Sequence, residues 1–202
     1  MNAIAVFDSK SSFNSIKCNG TVKFHQCSPK HKTLIMFEIS NLPPNTARGA
    51  HIHRLGDLTK GCASLCQHWD PNPNQRHGSI ELSGSDRHAG DMINNIVSDS
   101  KGQVNFVYDD ELIALFPPYS IIGRSIVIHE KQDDLGIFRD ELGPNGQLTK
   151  RAEESGKTGN AGARISCAVI GITDENFHPH CFGGAKLPRA PQNRNMKGGE
   201  NV

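Results

Sequence analysis

The chain has 202 residues and a formal net charge of +1; 36% of its residues are hydrophobic and 21% are charged. This composition is typical of a soluble protein with one core domain, and the nearly balanced charge excludes binding of nucleic acid or acidic membranes by bulk charge. The N-terminal segment lacks the features of a secretory signal and no apolar run is long enough to span a bilayer, so we expect a cytoplasmic protein without membrane or nucleic-acid partners.

Short segments rich in β-branched and aromatic residues predict about eight strands. In chain order they are 3–8 (AIAVFD), 20–26 (GTVKFHQ), 33–40 (TLIMFEIS), 49–55 (GAHIHRL), 79–84 (SIELSG), 103–111 (QVNFVYDDE), 125–131 (SIVIHEK) and 164–172 (RISCAVIGI). Turn sequences such as NLPPN and FPPYS separate them, and no convincing amphipathic helix interrupts the pattern. We therefore predict an all-β fold, an eight-stranded antiparallel Greek-key barrel or sandwich.

Two predicted connections are much longer than the usual few residues. They run from about 55 to 88 and from about 131 to 163, and we expect them to be structureless loops that carry function. Residues 173–202 are rich in Gly, Pro, Asn and Lys, which indicates a flexible tail. The sequence thus predicts one domain over residues 1–172, with a flexible C-terminal tail over 173–202.

The fourth predicted strand carries two histidines one residue apart. Side chains at i and i+2 point to the same face of a strand, so the imidazoles of His51 and His53 are expected to lie side by side. Taken alone, such a pair is more often a polar strand face than two ligands for one ion.

Five further residues extend this pattern along the chain: His68, His77, His88, Asp91 and His129. Each alone has an ordinary explanation as a surface or turn residue. Together with the histidine pair they make seven potential ligands in H-x-H and H-x-x-D spacings. Copper(II) favours a tetragonal set of imidazoles, and zinc accepts a tetrahedral mixture of His and Asp. Two adjacent metal sites that share one ligand would use all seven.

The motifs around these residues resemble those of copper/zinc superoxide dismutases. The resemblance covers residues 2–172 in order and rests on HIHRLGDLTKGCAS, QHWDPNP, RHGS, DRHAGD, SIVIHEKQDDLG and EESGKTGNAGARISCAVIGI. It implies an oxidoreductase that converts superoxide to dioxygen and hydrogen peroxide by cycling copper between +2 and +1, with zinc structural. The implied copper ligands are His51, His53, His68 and His129, and the implied zinc ligands are His68, His77, His88 and Asp91. His68 would be an imidazolate shared by the two ions.

The same resemblance assigns residues around the metals. It implies a disulfide between Cys62 and Cys167. It also implies that Asp133 links a copper-binding histidine to a zinc-binding histidine, a contact that would fix the imidazole tautomers.

For catalysis, the resemblance implies Arg164 beside the copper as the group that attracts the anion, and His68 as the carrier of a proton. Lys157 and Thr158 match a loop that lines the channel for superoxide. A homodimer is expected from the resemblance, with CAVIGI near the interface, and a copper chaperone is a candidate partner.

Two features depart from the family pattern. The second long connection is about a dozen residues longer than in compact members, with the excess at about 137–152. Arg54 follows the H-x-H motif directly, where a glutamate is common. Access to the copper and steering of the substrate are therefore where this chain is expected to differ.

A non-catalytic copper-binding or copper-delivery protein on the same fold is the alternative function. Copper chaperones with such a domain typically add a C-x-x-C domain and often lack part of the ligand set. This chain has no C-x-x-C and retains seven ligands and Arg164, so we favour the enzyme.

Overall fold

Strands make up most of the regular structure. The computed structural model describes residues 1–11, 15–72 and 74–175. The strands within these ranges are β1 (Asn2–Phe7), β2 (Asn19–His25), β3 (Thr33–Ser40), β4 (Ala47–His53), β5 (Thr59–Cys62), β6 (Asn95–Val97), β7 (Val104–Asp110), β8 (Ser125–His129) and β9 (Arg164–Ile172). The α-helices there are α1 (Ile80–Ser83) and α2 (Lys150–Thr158), and 3₁₀ turns lie at Ala63–Leu65 and Ala89–Asp91. No helix in these ranges is long and apolar enough to cross a membrane.

Eight of the strands form one antiparallel sheet in the order β6-β4-β8-β9-β1-β2-β3-β7. The sheet curls into a nearly closed barrel whose two end strands, β6 and β7, follow each other in the chain. The connection between β3 and β4 crosses the barrel, because β3 pairs with β2 and β7 whereas β4 pairs with β6 and β8. The predicted all-β Greek-key fold is confirmed.

The barrel interior is apolar, and the predicted metal ligands of β4 and β8 lie on its outer face. Ile52 in β4 and Ile126 in β8 are opposite each other across the ladder and are fully buried in the core with Phe24 and Phe37. His51 and its neighbours at alternate positions point the other way. They are nevertheless buried, because the long connections cover this face of the sheet.

The predicted strand at 79–84 is wrong. Ile80–Ser83 is instead the short helix α1, because Ser79 accepts a hydrogen bond from the backbone N–H of Leu82 (3.1 Å) and caps the helix N-terminus. The strand that pairs with the free side of β4 is β6, which sequence reasoning missed.

The expectation that the second long connection is structureless is also wrong. Thr149 accepts a hydrogen bond from the N–H of Ala152 (3.0 Å) and starts α2, and Gly159, at φ +65°, ends it. The helix buries Ala152 and Ser155 against the rest of the connection. The first long connection likewise holds β5, a 3₁₀ turn and α1.

A disulfide joins Cys62 to Cys167, as the family resemblance implies, and links the first long connection to β9. Both cysteines are buried beside Leu65 and Val127 on the outer face of the barrel. Cys62 precedes His68 in the first long connection, so the bond fixes this connection against the sheet that it covers.

Strand β9 ends at Ile172, and the division into a domain over 1–172 and a tail over 173–202 stays a prediction. The next residues still contact the barrel: the N–H of Thr173 donates to the carbonyl of Asn2 (3.2 Å), and Glu175 pairs with Lys23 (3.2 Å). The remainder of the predicted tail, 176–202, lies outside the described residues.

Candidate metal centre

The barrel wall supplies three of the predicted copper ligands. His51 and His53 come from β4, and His129 ends β8 at a bulge, opposite Arg164 of β9. The first long connection brings His68 back to the wall through a bridge to His53. One ligand atom from each of the four buried histidines lies within 4.8 Å of the others.

The predicted zinc ligands form a second group that shares His68 with the first. Oδ1 of Asp91 meets the Nδ1 atoms of His68 (2.8 Å), His77 (2.9 Å) and His88 (3.1 Å). The neighbouring Gly90 packs so tightly that a Cβ there would lie 2.2 Å from the carbonyl oxygen of Ile52. This close approach seats Asp91 against the barrel.

Hydrogen bonds on the far side of each ring orient the histidines of the first group. Nδ1–H of His53 donates to the carbonyl of Cys66 (2.8 Å), and Nδ1–H of His129 donates to the carbonyl of Gly162 (3.1 Å). Their Nε2 atoms consequently carry lone pairs and lie 3.3 Å apart. His51 uses Nε2 for a carboxylate, which leaves Nδ1 as its ligand atom.

Two ring nitrogens are buried without a hydrogen-bond partner among the described residues: Nδ1 of His51 and Nε2 of His68. An unsatisfied buried polar atom is costly, and a metal ion would satisfy both. The first group offers only imidazole lone pairs, which suits copper, and the second mixes imidazole with carboxylate, which suits zinc. The residues present therefore fit both ions.

Asp133 joins the two groups. Its carboxylate is fully buried and accepts from Nε2 of His51 (2.5 Å) and Nε2 of His77 (3.0 Å). Asn95 holds the backbone of Asp133 from both sides, accepting from its N–H (2.8 Å) and donating to its carbonyl (3.0 Å). Sequence reasoning missed Asn95, because no local pattern marks this position.

A family model described as copper/zinc superoxide dismutase (SODC) matches residues 18–170. The chain belongs to the copper/zinc superoxide dismutase family. Its similarity to the superoxide dismutase [Cu-Zn] of Saccharomyces cerevisiae is 43% identity over 156 residues, covering 77% of this chain and 91% of the relative. The corresponding protein of Paramecium bursaria Chlorella virus 1 is 45% identical over 158 residues, covering 78% of this chain and 75% of the relative. Among solved structures, the clock protein EA4 matches with a TM-score of 0.68 and 34% identity over 85% of this chain and 94% of that one.

The first group of this copper/zinc superoxide dismutase family member is electrically neutral without metal. Burial lowers the pKa of His51 and of His53, and neighbouring imidazoles lower both further. Burial also lowers the pKa of His68 and of His129 to about 4. Neutral imidazoles are the form that binds copper, so the group is ready for the metal near pH 7.

The second group stabilises a positive charge. Burial alone would lower the pKa of His77, but the carboxylates of Asp91 and Asp133 outweigh it and raise that pKa to about 10. Burial would raise the pKa of Asp91, and His77 with the other histidines instead holds it well below the usual range. Without metal the charge is the proton of His77, and a zinc cation would replace it.

The metal-free protein is expected to lose stability when the pH falls from about 6.5 to about 4. His68 and His129, with pKa values of about 4 in the fold, titrate near 6.5 when unfolded, so the unfolded chain binds protons first and becomes favoured. His77, whose pKa is raised in the fold, stabilises the folded protein fully below about pH 6.5, so its contribution to the free energy of unfolding does not change with pH in this range. Urea unfolding after metal removal, near pH 7 and near pH 4.5, measures the change. An equal or higher free energy of unfolding at the lower pH would contradict it.

The first group, which consists of the predicted copper ligands and is called the copper-side group below, faces a cavity of about 510 Å³ in this superoxide dismutase family member. Its lining includes the predicted residues Arg164 and Thr158, and also Lys131 and Glu154, which sequence reasoning missed although Lys131 lies two residues after the predicted ligand His129. The predicted channel residue Lys157 lines a neighbouring cleft of about 1050 Å³. Its role in the channel stays a prediction.

Arg164 is fixed in this cavity by backbone carbonyls. Its Nη1 donates to the carbonyl of Cys62 (2.9 Å), and its Nη2 donates to the carbonyl of Cys66. Arg54, the unusual residue after the H-x-H motif, lines the neighbouring cleft instead, and its carbonyl accepts from Arg124 (2.6 Å). Arg54 therefore adds charge near the copper cavity without lining it.

Proposed function

We propose that this chain is a superoxide dismutase, converting two superoxide anions and two protons to dioxygen and hydrogen peroxide. The copper site would be His51, His53, His68 and His129, and the zinc site His68, His77, His88 and Asp91. The observation that carries the proposal is His68, whose ring belongs to both buried groups. Superoxide disproportionation by the purified full chain, with and without added copper, tests it.

The bound metals have distinct tasks. Copper supplies the one-electron oxidation and reduction of superoxide, whereas zinc has a single oxidation state and holds His68 in position. The neutral imidazoles of His51, His53 and His129, each oriented by a hydrogen bond on its far side, would keep these three ligands in place through the cycle.

Arg164 would bind the substrate. A guanidinium has five N–H donors and remains protonated at neutral pH, so the two bonds to Cys62 and Cys66 leave others for an anion in the cavity. The carbonyls hold the group in one orientation before superoxide arrives. Lys131, Thr158 and Lys157 complete the proposed path, with the lysines adding positive charge that attracts the anion.

His68 would supply a proton. Asp91 holds its Nδ1 (2.8 Å), and its Nε2 has no hydrogen-bond partner among the described residues. We assign Nε2 as the atom that holds a proton between the two half-reactions and passes it to the second superoxide. The rings of His51, His53 and His129 around it are almost fully buried, and His68 itself lines the cavity from which the anion would approach.

Arg164→Met is expected to lower kcat/KM for superoxide at least about tenfold and to weaken the fall of the rate with added salt, because it removes the cation that attracts the substrate. Pulse radiolysis of dismutation at two ionic strengths measures both effects. Arg164→Lys should restore part of the rate, and Lys101→Met, which removes an exposed charge from a turn that lines neither cleft, serves as the matched control. A full rate with unchanged salt dependence in Arg164→Met would contradict the assignment.

A copper-delivery protein on the same fold is not favoured, because the chain retains a full ligand set and an arginine fixed beside it.

We further propose a homodimer. Exposed Leu55 and Val169 lie near Gly56, where a Cβ would lie 2.3 Å from the carbonyl oxygen of Gly123, and Val169 belongs to the CAVIGI segment that would face a second copy. Sedimentation equilibrium tests this. A cytoplasmic location and a copper chaperone as a partner are proposed from family membership alone.

A further inference from the structure

The segment that exceeds the compact family pattern, 137–152, folds into a unit with its own contacts. Leu142 bridges Leu148, and the N–H of Gly143 donates to the carbonyl of Gln147 (2.8 Å). Glu141 accepts from the hydroxyl of Thr149 (2.7 Å) and pairs with Arg151. These bonds close the segment on itself, so it can act as a fixed strap.

This strap is joined to the first long connection by two reciprocal arginines. Arg139 of the strap donates from Nη1 to the carbonyl of His77 (3.0 Å) and from Nη2 to Asp86 (3.1 Å). In return, Arg76 donates from Nη1 to Asp140 of the strap (2.7 Å) and from Nη2 to the carbonyl of Arg139. The side chain of Arg139 is only 19% exposed and its bond to the His77 carbonyl is partly buried, whereas the side chain of Asp86 is exposed.

These contacts complete the support of one metal-site residue, His77. Its backbone N–H donates to the carbonyl of Gly156 in α2 (2.8 Å), and its own carbonyl accepts from Arg139. Its ring lies between Asp91 and Asp133. The segment that follows Asp133 thus holds the peptide groups on both sides of His77, and none of these hydrogen bonds requires a metal.

We propose that Arg139 is a positioning residue for His77, and that Arg139 and Arg76 form a latch that keeps the zinc site assembled. The inference rests on the proposed assignment of His77 as a zinc ligand. A ligand whose backbone is already fixed loses less conformational freedom when the ion binds, and it cannot swing away when the ion starts to leave. The latch therefore slows zinc release and leaves the copper site, which is built mainly on the barrel wall, unaffected.

The test follows metal release from the full chain loaded with copper and zinc. Zinc and copper transfer to an excess of a chromophoric chelator are recorded separately for Arg139→Met, Arg139→Lys, Asp140→Asn and the wild type. Lys150→Met, which removes an exposed charge from the same strap, is the matched control. Cobalt(II) absorption at the zinc site reports the ligand geometry without reference to activity.

Arg139→Met is expected to release zinc about 10- to 100-fold faster, with copper release unchanged. Arg139→Lys should recover part of the difference, Asp140→Asn should show a smaller acceleration, and Lys150→Met should match the wild type. Wild-type zinc release from Arg139→Met, or equal acceleration of both metals, would overturn the latch alone. A wild-type chain that binds neither zinc nor cobalt at this group would overturn the zinc assignment itself, and the latch with it.

Discussion

Asp133→Asn is expected to weaken zinc binding about 10- to 100-fold and to lower the free energy of unfolding of the metal-free protein by about 3–5 kcal/mol. His51 and His77 both donate a ring N–H to this carboxylate, at 2.5 and 3.0 Å. An amide can accept from only one of them, because its NH₂ group then faces the other ring. If His51 changes tautomer, its hydrogen moves to Nδ1, which is the nitrogen that His51 would use to bind copper. The substitution also leaves the buried charge of His77 with one carboxylate instead of two.

Competition with a zinc chelator and urea unfolding after metal removal measure the two effects. Asp134→Asn is the matched control, since Asp134 is the adjacent buried aspartate and bonds to Ser155 (2.9 Å) and Asn160 (2.6 Å). The control should lose stability while keeping near-normal zinc affinity. Wild-type zinc affinity in Asp133→Asn would show that the carboxylate does not orient the ligands.

Removing the disulfide, in Cys62→Ala with Cys167→Ala, is expected to lower the free energy of unfolding by about 4–5 kcal/mol. The two cysteines are 105 residues apart in sequence, and a cross-link that closes a loop of about 100 residues is worth about 4.7 kcal/mol of chain entropy. Alanine suits the apolar surroundings of Leu65 and Val127, so the change reports mainly the lost cross-link. Arg164 donates to the carbonyl of Cys62, so activity should fall as well.

Chemical unfolding of the oxidised, metal-free protein measures this effect. Cys27→Ala removes an exposed cysteine outside the bond and is expected to leave the free energy of unfolding within about 0.5 kcal/mol of the wild type. A loss below about 1 kcal/mol in the double variant would mean that packing alone holds the first long connection against β9.

Local rules account for the ligands on the barrel wall. The strand period of two is sufficient to place His51 and His53 on one face, and the alternation of Ile52 with them predicts which face is the core. That this outer face is buried does not follow from the strand, because the cover comes from distant loops. His68, His77 and His88 lie on such a loop; their spacing marked them as potential metal ligands, and the family resemblance assigned each of them to copper or zinc.

The errors have local physical causes. The apolar–polar alternation of 79–84 indicates a strand, but Ser79 caps the N-terminus of a four-residue helix there, and this capped helix forms instead of the strand. Helix α2 has no large apolar residue and buries only the small Ala152 and Ser155, so its sequence lacks the apolar stripe that usually indicates a helix. Asn95 and Arg139 act through contacts about 40 and 60 residues away in sequence, at positions that no local pattern marks.

The central claim is that six buried side chains and the half-buried His88 hold one copper and one zinc, and that the chain disproportionates superoxide. Its most direct test is to reconstitute the purified full chain with each metal, count the bound ions, and measure superoxide disproportionation by pulse radiolysis. The account predicts one copper and one zinc per chain, full activity only when copper is present, and no activity with zinc alone. A chain that binds both ions with this stoichiometry and yet leaves superoxide decay at its spontaneous rate would contradict it.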